Sequence, residues 1–171
     1  MVESVYKIKK AFLLPLSGII ALLFVLFLLS VFTGQMWEII IITVIFLISL
    51  VIGVEMAKRK VIVDDQGVKI QKAFRRKEIN WSEITHLAVV VLKKKACFLL
   101  TTTKGFYIFS NLLENHASLV NSLADNLGEE KVEMEVKNYL AQPLERFSMI
   151  VMSWFAVAVI VALIILKISA I

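Results

Sequence analysis

The sequence predicts an α+β membrane protein, with three membrane-spanning helices and one small domain rich in β-strands. Three observations carry that expectation. Apolar residues make up 59% of the 171, above the roughly one half of ordinary soluble domains. The excess is gathered into three blocks, each supplying about the twenty residues that a helix needs to cross a hydrocarbon core. Between the second and third blocks, about ninety residues return to ordinary globular composition, enough for one modest core.

The first block runs from Ala11 to Thr33 and the second from Trp37 to Ala57, so residues 1–57 form a transmembrane hairpin. The third block runs from Phe147 to Leu166, within a segment 147–171. Lys7, Lys9 and Lys10 precede the first block as they would in a signal peptide. Its apolar stretch exceeds the roughly 7–15 residues of a signal core, and no A-x-A-like site follows, so it reads as a retained anchor. Lys58, Arg59 and Lys60 follow the second block and Arg146 precedes the third, whereas Gly34 to Glu38 carries no basic residue. The positive-inside bias then puts the amino terminus and residues 58–146 in the cytoplasm and the carboxy terminus outside. Lys167 is one charge against that scheme.

Glu38 and Glu55 lie near span ends and no ionisable residue falls at mid-span, which argues against an ion or proton path within one copy. Ser49, Gly53 and Ala57 share one face of the second helix, and Ala158 and Ala162 repeat that spacing on the third. Small residues on one face let backbones approach. They serve either packing among the chain's own helices or docking of another subunit. Pro15, Ser17 and Gly18 should loosen the start of the first helix without breaking it.

Residues 58–128 form the cytoplasmic domain. The pattern alternates through short strands at Lys60–Asp64, Gly67–Phe74, Glu78–Trp81, His86–Leu92, Ala96–Thr103 and Phe106–Phe109. Asp64-Asp65-Gln66-Gly67 and Lys104-Gly105 are turn signals, and Lys93-Lys94-Lys95 makes a hairpin tip. After Ser110, Asn111 and Glu114 resemble a capping box, and Leu112, Leu113, His116, Leu119, Val120, Leu123 and Leu127 recur at helical spacing up to Gly128. Strands followed by one amphipathic helix suggest a curved sheet capped by that helix. Residues 129–146 read as a charged connecting helix with a break at Pro143.

Two apolar helices, a strand, an Asp-x-x-Gly turn, a strand, the step Ile79-Asn80-Trp81-Ser82-Glu83-Ile84 and the hairpin Thr102 to Phe109 follow in order. Together they resemble the bacterial pleckstrin-homology-like (PH-like) membrane proteins, over roughly residues 10–127. The resemblance implies an antiparallel β-sandwich or partly open barrel capped by a carboxy-terminal helix. It also implies a multi-pass protein of the bacterial cytoplasmic (inner) membrane, with no catalytic residues.

Little catalytic material is present. His86 and His116 lie in different elements, no Walker-type loop or G-x-S-x-G step occurs, and Asp64 and Asp65 read as turn formers. No catalytic, cofactor or metal site is expected, and no enzyme. Cys97, the one cysteine, reads as a small buried hydrophobe. Charge is more telling. Lys58 to Lys104 holds 12 basic and 4 acidic residues, whereas Gly105 to Arg146 holds 3 and 7. Lys69, Lys72, Arg75, Arg76 and Lys77 form one basic cluster and Lys93, Lys94 and Lys95 another, both suited to an anionic leaflet or ligand. Nucleic acid is not expected, since no aromatic residues interleave these clusters for stacking. The expected function is a non-catalytic scaffold or accessory subunit that assembles with another membrane protein or its own copies. The first alternative is an anionic-headgroup sensor, and the second an oligomeric transporter or channel component.

Overall fold

The computed structural model describes residues 4–92, 95–143 and 147–169. In chain order its elements are β1 (Ser4–Lys7), α1 (Lys10–Thr33), α2 (Met36–Lys58), β2 (Lys60–Val63), β3 (Gly67–Gln71), β4 (Arg76–Asn80), β5 (Ile84–Leu92), β6 (Lys95–Thr102), β7 (Gly105–Ser110), α3 (His116–Leu127), α4 (Met134–Ala141) and α5 (Ser148–Ser169). Short 3-10 turns at Trp81–Glu83 and Glu129–Lys131 complete the list. The chain divides into two compact units: a helical one of residues 10–57 and 147–171, and a sheet unit of residues 1–9 and 58–146.

In the helical unit, α1, α2 and α5 are each long and apolar enough to span a bilayer. The chain is a membrane protein on that ground. Pro15 lies inside α1, which runs on unbroken; its missing N–H forgoes one intrahelical bond, to the Ala11 carbonyl in the second turn. Helix α5 packs along α1. Helix α2 meets α1 through Phe46, whose ring lies 5.8 Å from that of Phe24 and 6.3 Å from that of Phe27. It meets α1 again at Gly53, where a Cβ would run into the end of the Ile20 side chain. At one end of this unit Ser30, Glu38 and Lys167 come together. Lys167 pairs with Glu38, and its ammonium also donates to the Ser30 hydroxyl (2.9 Å). The charge that stood against the expected orientation is thus matched by a carboxylate from α2.

The sheet unit holds two antiparallel sheets, β1-β2-β3-β4 and β5-β6-β7, which do not close into a barrel. The six expected strands are all present, with ends moved by a few residues. A seventh, β1, was not expected. Its residues precede a long apolar helix and look like the basic flank of a span. In the structure Ser4–Lys7 pairs with Lys60–Val63, Tyr6 turns inward, and its hydroxyl meets Ser118 (3.3 Å) and Ser122 (3.4 Å) on α3. The transmembrane hairpin is therefore inserted between two adjacent strands of one sheet.

The same amino-terminal segment corrects the expected helix start. Helix α3 begins at His116, not Asn111. The Lys9 N–H donates to the Leu112 carbonyl (3.1 Å) and the Glu114 N–H to the Lys7 carbonyl (2.7 Å). Pairing with the extended chain takes up the backbone groups that a helix at 112–114 would have used. Residues 129–146 are likewise not one helix. Val132 bridges to Leu87 and the Glu133 N–H donates to the Leu87 carbonyl (3.1 Å), so the chain runs beside β5 before α4 starts.

The core of this unit is built on Phe98, Phe109, Leu87, Leu100, Leu119 and Leu123, all but excluded from solvent. Phe98 meets Tyr139 of α4 edge-on at 5.1 Å, a favoured aromatic geometry. Helix α3 buries Leu119, Val120, Leu123 and Leu127, the stripe expected of it. Cys97 is half-buried rather than buried, because its β6 position points away from the Phe98 face.

Candidate functional site

Strand register collects the basic residues. Lys7 pairs with Lys60, Lys60 with Gln71 and Gln71 with Arg76, giving one row across the four-stranded sheet. At this row the chain leaves β1 for α1 and returns from α2 into β2. Beyond it lie Lys9 on one strand, Arg59 and Lys58 on the next, and the β3–β4 connection. That connection is a tight hairpin, closed by a hydrogen bond from the Lys72 N–H to the Arg75 carbonyl (2.8 Å), with Ala73 and Phe74 at its apex. Lys72, Arg75 and Arg76 are exposed around the apex.

The second sheet presents Lys95 at the same end. The Asn111 N–H donates to the Ala96 carbonyl (3.1 Å), and Leu112 next to it binds Lys9. The first residue of β6, exposed Lys95, therefore lies on the junction side. Lys93 and Lys94, expected to share a hairpin tip with it, lie outside the described residues. Arg59 adds a link between the sheets, its guanidinium donating to the Ile108 carbonyl of β7 (3.3 Å).

Two residues of the expected cluster do other work. Lys69 forms an ion pair with Asp64 (2.6 Å), in the β2–β3 turn at the far end of the sheet. Lys77 lies over the Tyr107 ring at 5.6 Å, within cation–π range. Arg76 shares its charge with Glu78 across 2.9 Å, where both side chains are solvent-exposed, so the pair is worth little. The junction end thus keeps Lys7, Lys60, Lys72, Arg75 and Arg76, with Glu78 and Glu114 as its acidic neighbours.

The far end is built differently. The Asp64 carboxylate accepts from the Gln66 and Gly67 N–H groups (3.0 Å each). Gly67 is required there because a Cβ would collide with the Ile79 carbonyl. Trp81 pins the turn, its indole N–H donating to the Asp64 carbonyl (3.1 Å). The Lys69 ammonium, helped by those N–H groups, holds the Asp64 carboxyl below the usual carboxylate range. Lys104, bonded to Glu83 across 2.5 Å, does the same for Glu83. Strand geometry thereby gathers basic side chains at the junction, while the opposite end carries the Lys69–Asp64 and Lys104–Glu83 pairs.

The sequence reading missed Phe74. At 83% exposed it interrupts the basic cluster with an aromatic ring, and its place between Ala73 and Arg75 was a visible signal. It also missed the Lys167–Glu38 pair, which joins residues from separate spans. Of the small residues, Gly53 and Ala57 line a groove with Leu16 and Ile20 of α1, and Ser49 lines a second with Leu23 and Ile160. Gly53 is buried against Ile20, whereas Ser49 is half-buried and Ala57 exposed. Ala158 and Ala162 are exposed on α5. Neither histidine joins the basic site, since His86 pairs with Glu133 (2.7 Å) and His116 is buried beside Phe98. Among the described residues, no three His, Cys, Asp or Glu side chains gather as metal ligands.

No protein-family model, curated protein or solved structure matches the chain.

Proposed function

We propose that the chain is a non-catalytic module of the bacterial inner membrane whose PH-like cytoplasmic domain docks on the anionic headgroups of its own leaflet. The PH-like reading is supported by the strand count, four in one sheet and three in the next, followed by helix α3. Cytoplasmic placement is supported by the pairing of β1 with β2. Strands that share hydrogen bonds lie on one side of the bilayer, and both carry the basic flanks that favour the inside.

The observation that carries the proposal is the row Lys7, Lys60, Gln71, Arg76, with the Lys72–Arg75 tip beyond it. Lys7 is three positions from the start of α1 and Lys60 two from the end of α2. Chain connectivity keeps Lys7 and Lys60 close to the ends of the two apolar helices. A Lys or Arg near an anionic leaflet contributes about 1 kcal/mol, and salt screens that over about 10 Å. Full-length protein in nanodiscs tests this. With anionic lipid, amide exchange over residues 71–77 slows relative to purely zwitterionic discs, and high salt narrows the difference. Equal exchange in the two lipids overturns the proposal.

The second reading, assembly with another membrane protein, draws on a different surface. The outer face of β5-β6-β7 leaves Phe106 71% and Ile108 59% exposed beside Val90, an apolar patch of the kind that marks interaction sites. It predicts a stoichiometric partner that is lost when Phe106 and Ile108 are replaced by polar residues, whatever the lipid.

A further inference from the structure

Resting on the headgroup reading, we propose that the β3–β4 hairpin is an insertion tip, with Phe74 seated at the headgroup–acyl boundary and Lys72, Arg75 and Arg76 on the phosphates around it. Four features of the sheet unit argue for it.

The first is that the ring has nowhere inward to go. Along β4 only Ile79 is buried and Arg76, Lys77 and Glu78 face out, so the core on this side is filled by Val68, Ile70 and Ile79. Phe74, at the apex of a tight two-residue turn, projects beyond the sheet. A two-residue turn has no steric need for a large aromatic, and small or polar residues form such turns more readily.

The second is level. Lys60 and Gln71 are cross-strand partners. Lys58, the last residue of α2, is two residues before Lys60, and Ala73 is two residues after Gln71. The two segments run out from the same row, each reaching at most about 7 Å. The apex therefore lies at the same end of the sheet as the strand that leads back to Lys58. Strand spacing of about 4.8 Å sets it roughly one to two strands to the side.

The third is chemistry. An apolar ring ringed by cations fits an interface where hydrocarbon lies beneath phosphate, as at the boundary bound by basic, aromatic-bearing surface helices. The aliphatic stems of Lys72, Arg75 and Arg76 can lie along the same boundary with their charges directed to water and phosphate. The fourth is stiffness. The Lys72–Arg75 hydrogen bond holds the apex, so the ring is presented without ordering a loose loop.

Insertion makes a contact separate from the spans and fixes the tilt of the sheet against the leaflet. Charge alone would draw the same residues to the surface while leaving Phe74 in water, and this difference is measurable.

The test uses full-length protein carrying Phe74→Cys in a Cys97→Ser background, nitroxide-labelled and placed in nanodiscs with anionic lipid. Asp65→Cys in the same background is the reference, on the turn at the opposite end of the sheet. Collision rates with oxygen, which concentrates in hydrocarbon, and with a water-soluble nickel chelate report depth. At position 74 oxygen collisions rise and nickel collisions fall relative to position 65. Nickel access at 74 equal to that at 65 overturns insertion. If slowed exchange over 71–77 persists in that case, docking by charge stands and insertion alone fails; if it is also absent, both fail. Slowed exchange that persists in purely zwitterionic discs together with a buried label would retain insertion and remove the anionic preference.

Discussion

Lys7 and Lys60 face one another across the β1–β2 pair, one residue on each side of the two-helix hairpin. The entire hairpin is thus a loop between neighbouring strands. The residues that lead into and out of it are held one strand spacing apart, about 4.8 Å, by the sheet unit's own hydrogen bonds. This constraint turns a row of lysines and arginines into a surface.

Trp81 serves the far turn, not a ligand. Trp81→Phe keeps the ring and removes the indole N–H bond to the Asp64 carbonyl, and should cost about 1 kcal/mol. Denaturant unfolding of the full-length protein, followed through the sheet signal, would show it. Docking on anionic nanodiscs should be unchanged.

Acid should loosen the same turn. The Lys69 ammonium holds the Asp64 carboxyl low, and Lys104 holds Glu83 low. A lowered carboxyl contributes stability above its unfolded value, about 3.9 for Asp and 4.3 for Glu, and that stability is lost as pH falls through the folded value. Lys69 and Lys104 are raised by the same partners, so their share persists through neutral pH and disappears only as pH rises past the ordinary lysine range. Stability should be level between about pH 5 and 10 and fall on either side. Asp64→Asn should lower the plateau and flatten the acid limb, read from the exchange of the Gln66 and Gly67 amides.

The Lys167–Glu38 pair should hold α5 in register with α1 and α2. Lys167→Met leaves the Glu38 carboxylate and Ser30 without their cation, and should lower the Tm of detergent-solubilised protein by a few degrees. Adding Glu38→Gln to that variant should recover part of the loss, since no uncompensated charge then remains. A Tm unchanged by Lys167→Met would show α5 to be held by packing alone.

Phe98 should be indispensable to the sheet unit. It is fully buried and stacked edge-on against Tyr139, and Phe98→Ala should cost about 3–5 kcal/mol. Limited proteolysis should then cut residues 58–143 while the three spans remain protected by detergent.

The three spans and six of the seven strands were legible in the sequence because each carries its own periodicity. The seventh was not. Ser4–Lys7 has one inward residue, Tyr6, and its partner strand lies beyond two transmembrane helices, so no local pattern marks it. The start of α3 was misread for the same reason: Leu112 and Leu113 have helical spacing, but the chain that pairs with them is Lys7–Lys9. Within the site, residue type identified Lys72, Arg75 and Arg76, while only cross-strand register could separate them from Lys69, which turns to Asp64. The Lys167–Glu38 pair depends on how separate helices pack, and no spacing along one helix reveals it.

The most direct test of docking is charge reversal at the tip. Full-length protein with Lys72→Glu, Arg75→Glu and Arg76→Glu is placed in anionic nanodiscs, and amide exchange over residues 71–77 is compared with wild type, with the Asp64–Gly67 turn as reference. The account predicts that the variant exchanges at the rate wild type shows in zwitterionic discs, with the reference turn unchanged. Equal protection of variant and wild type in anionic discs would contradict it.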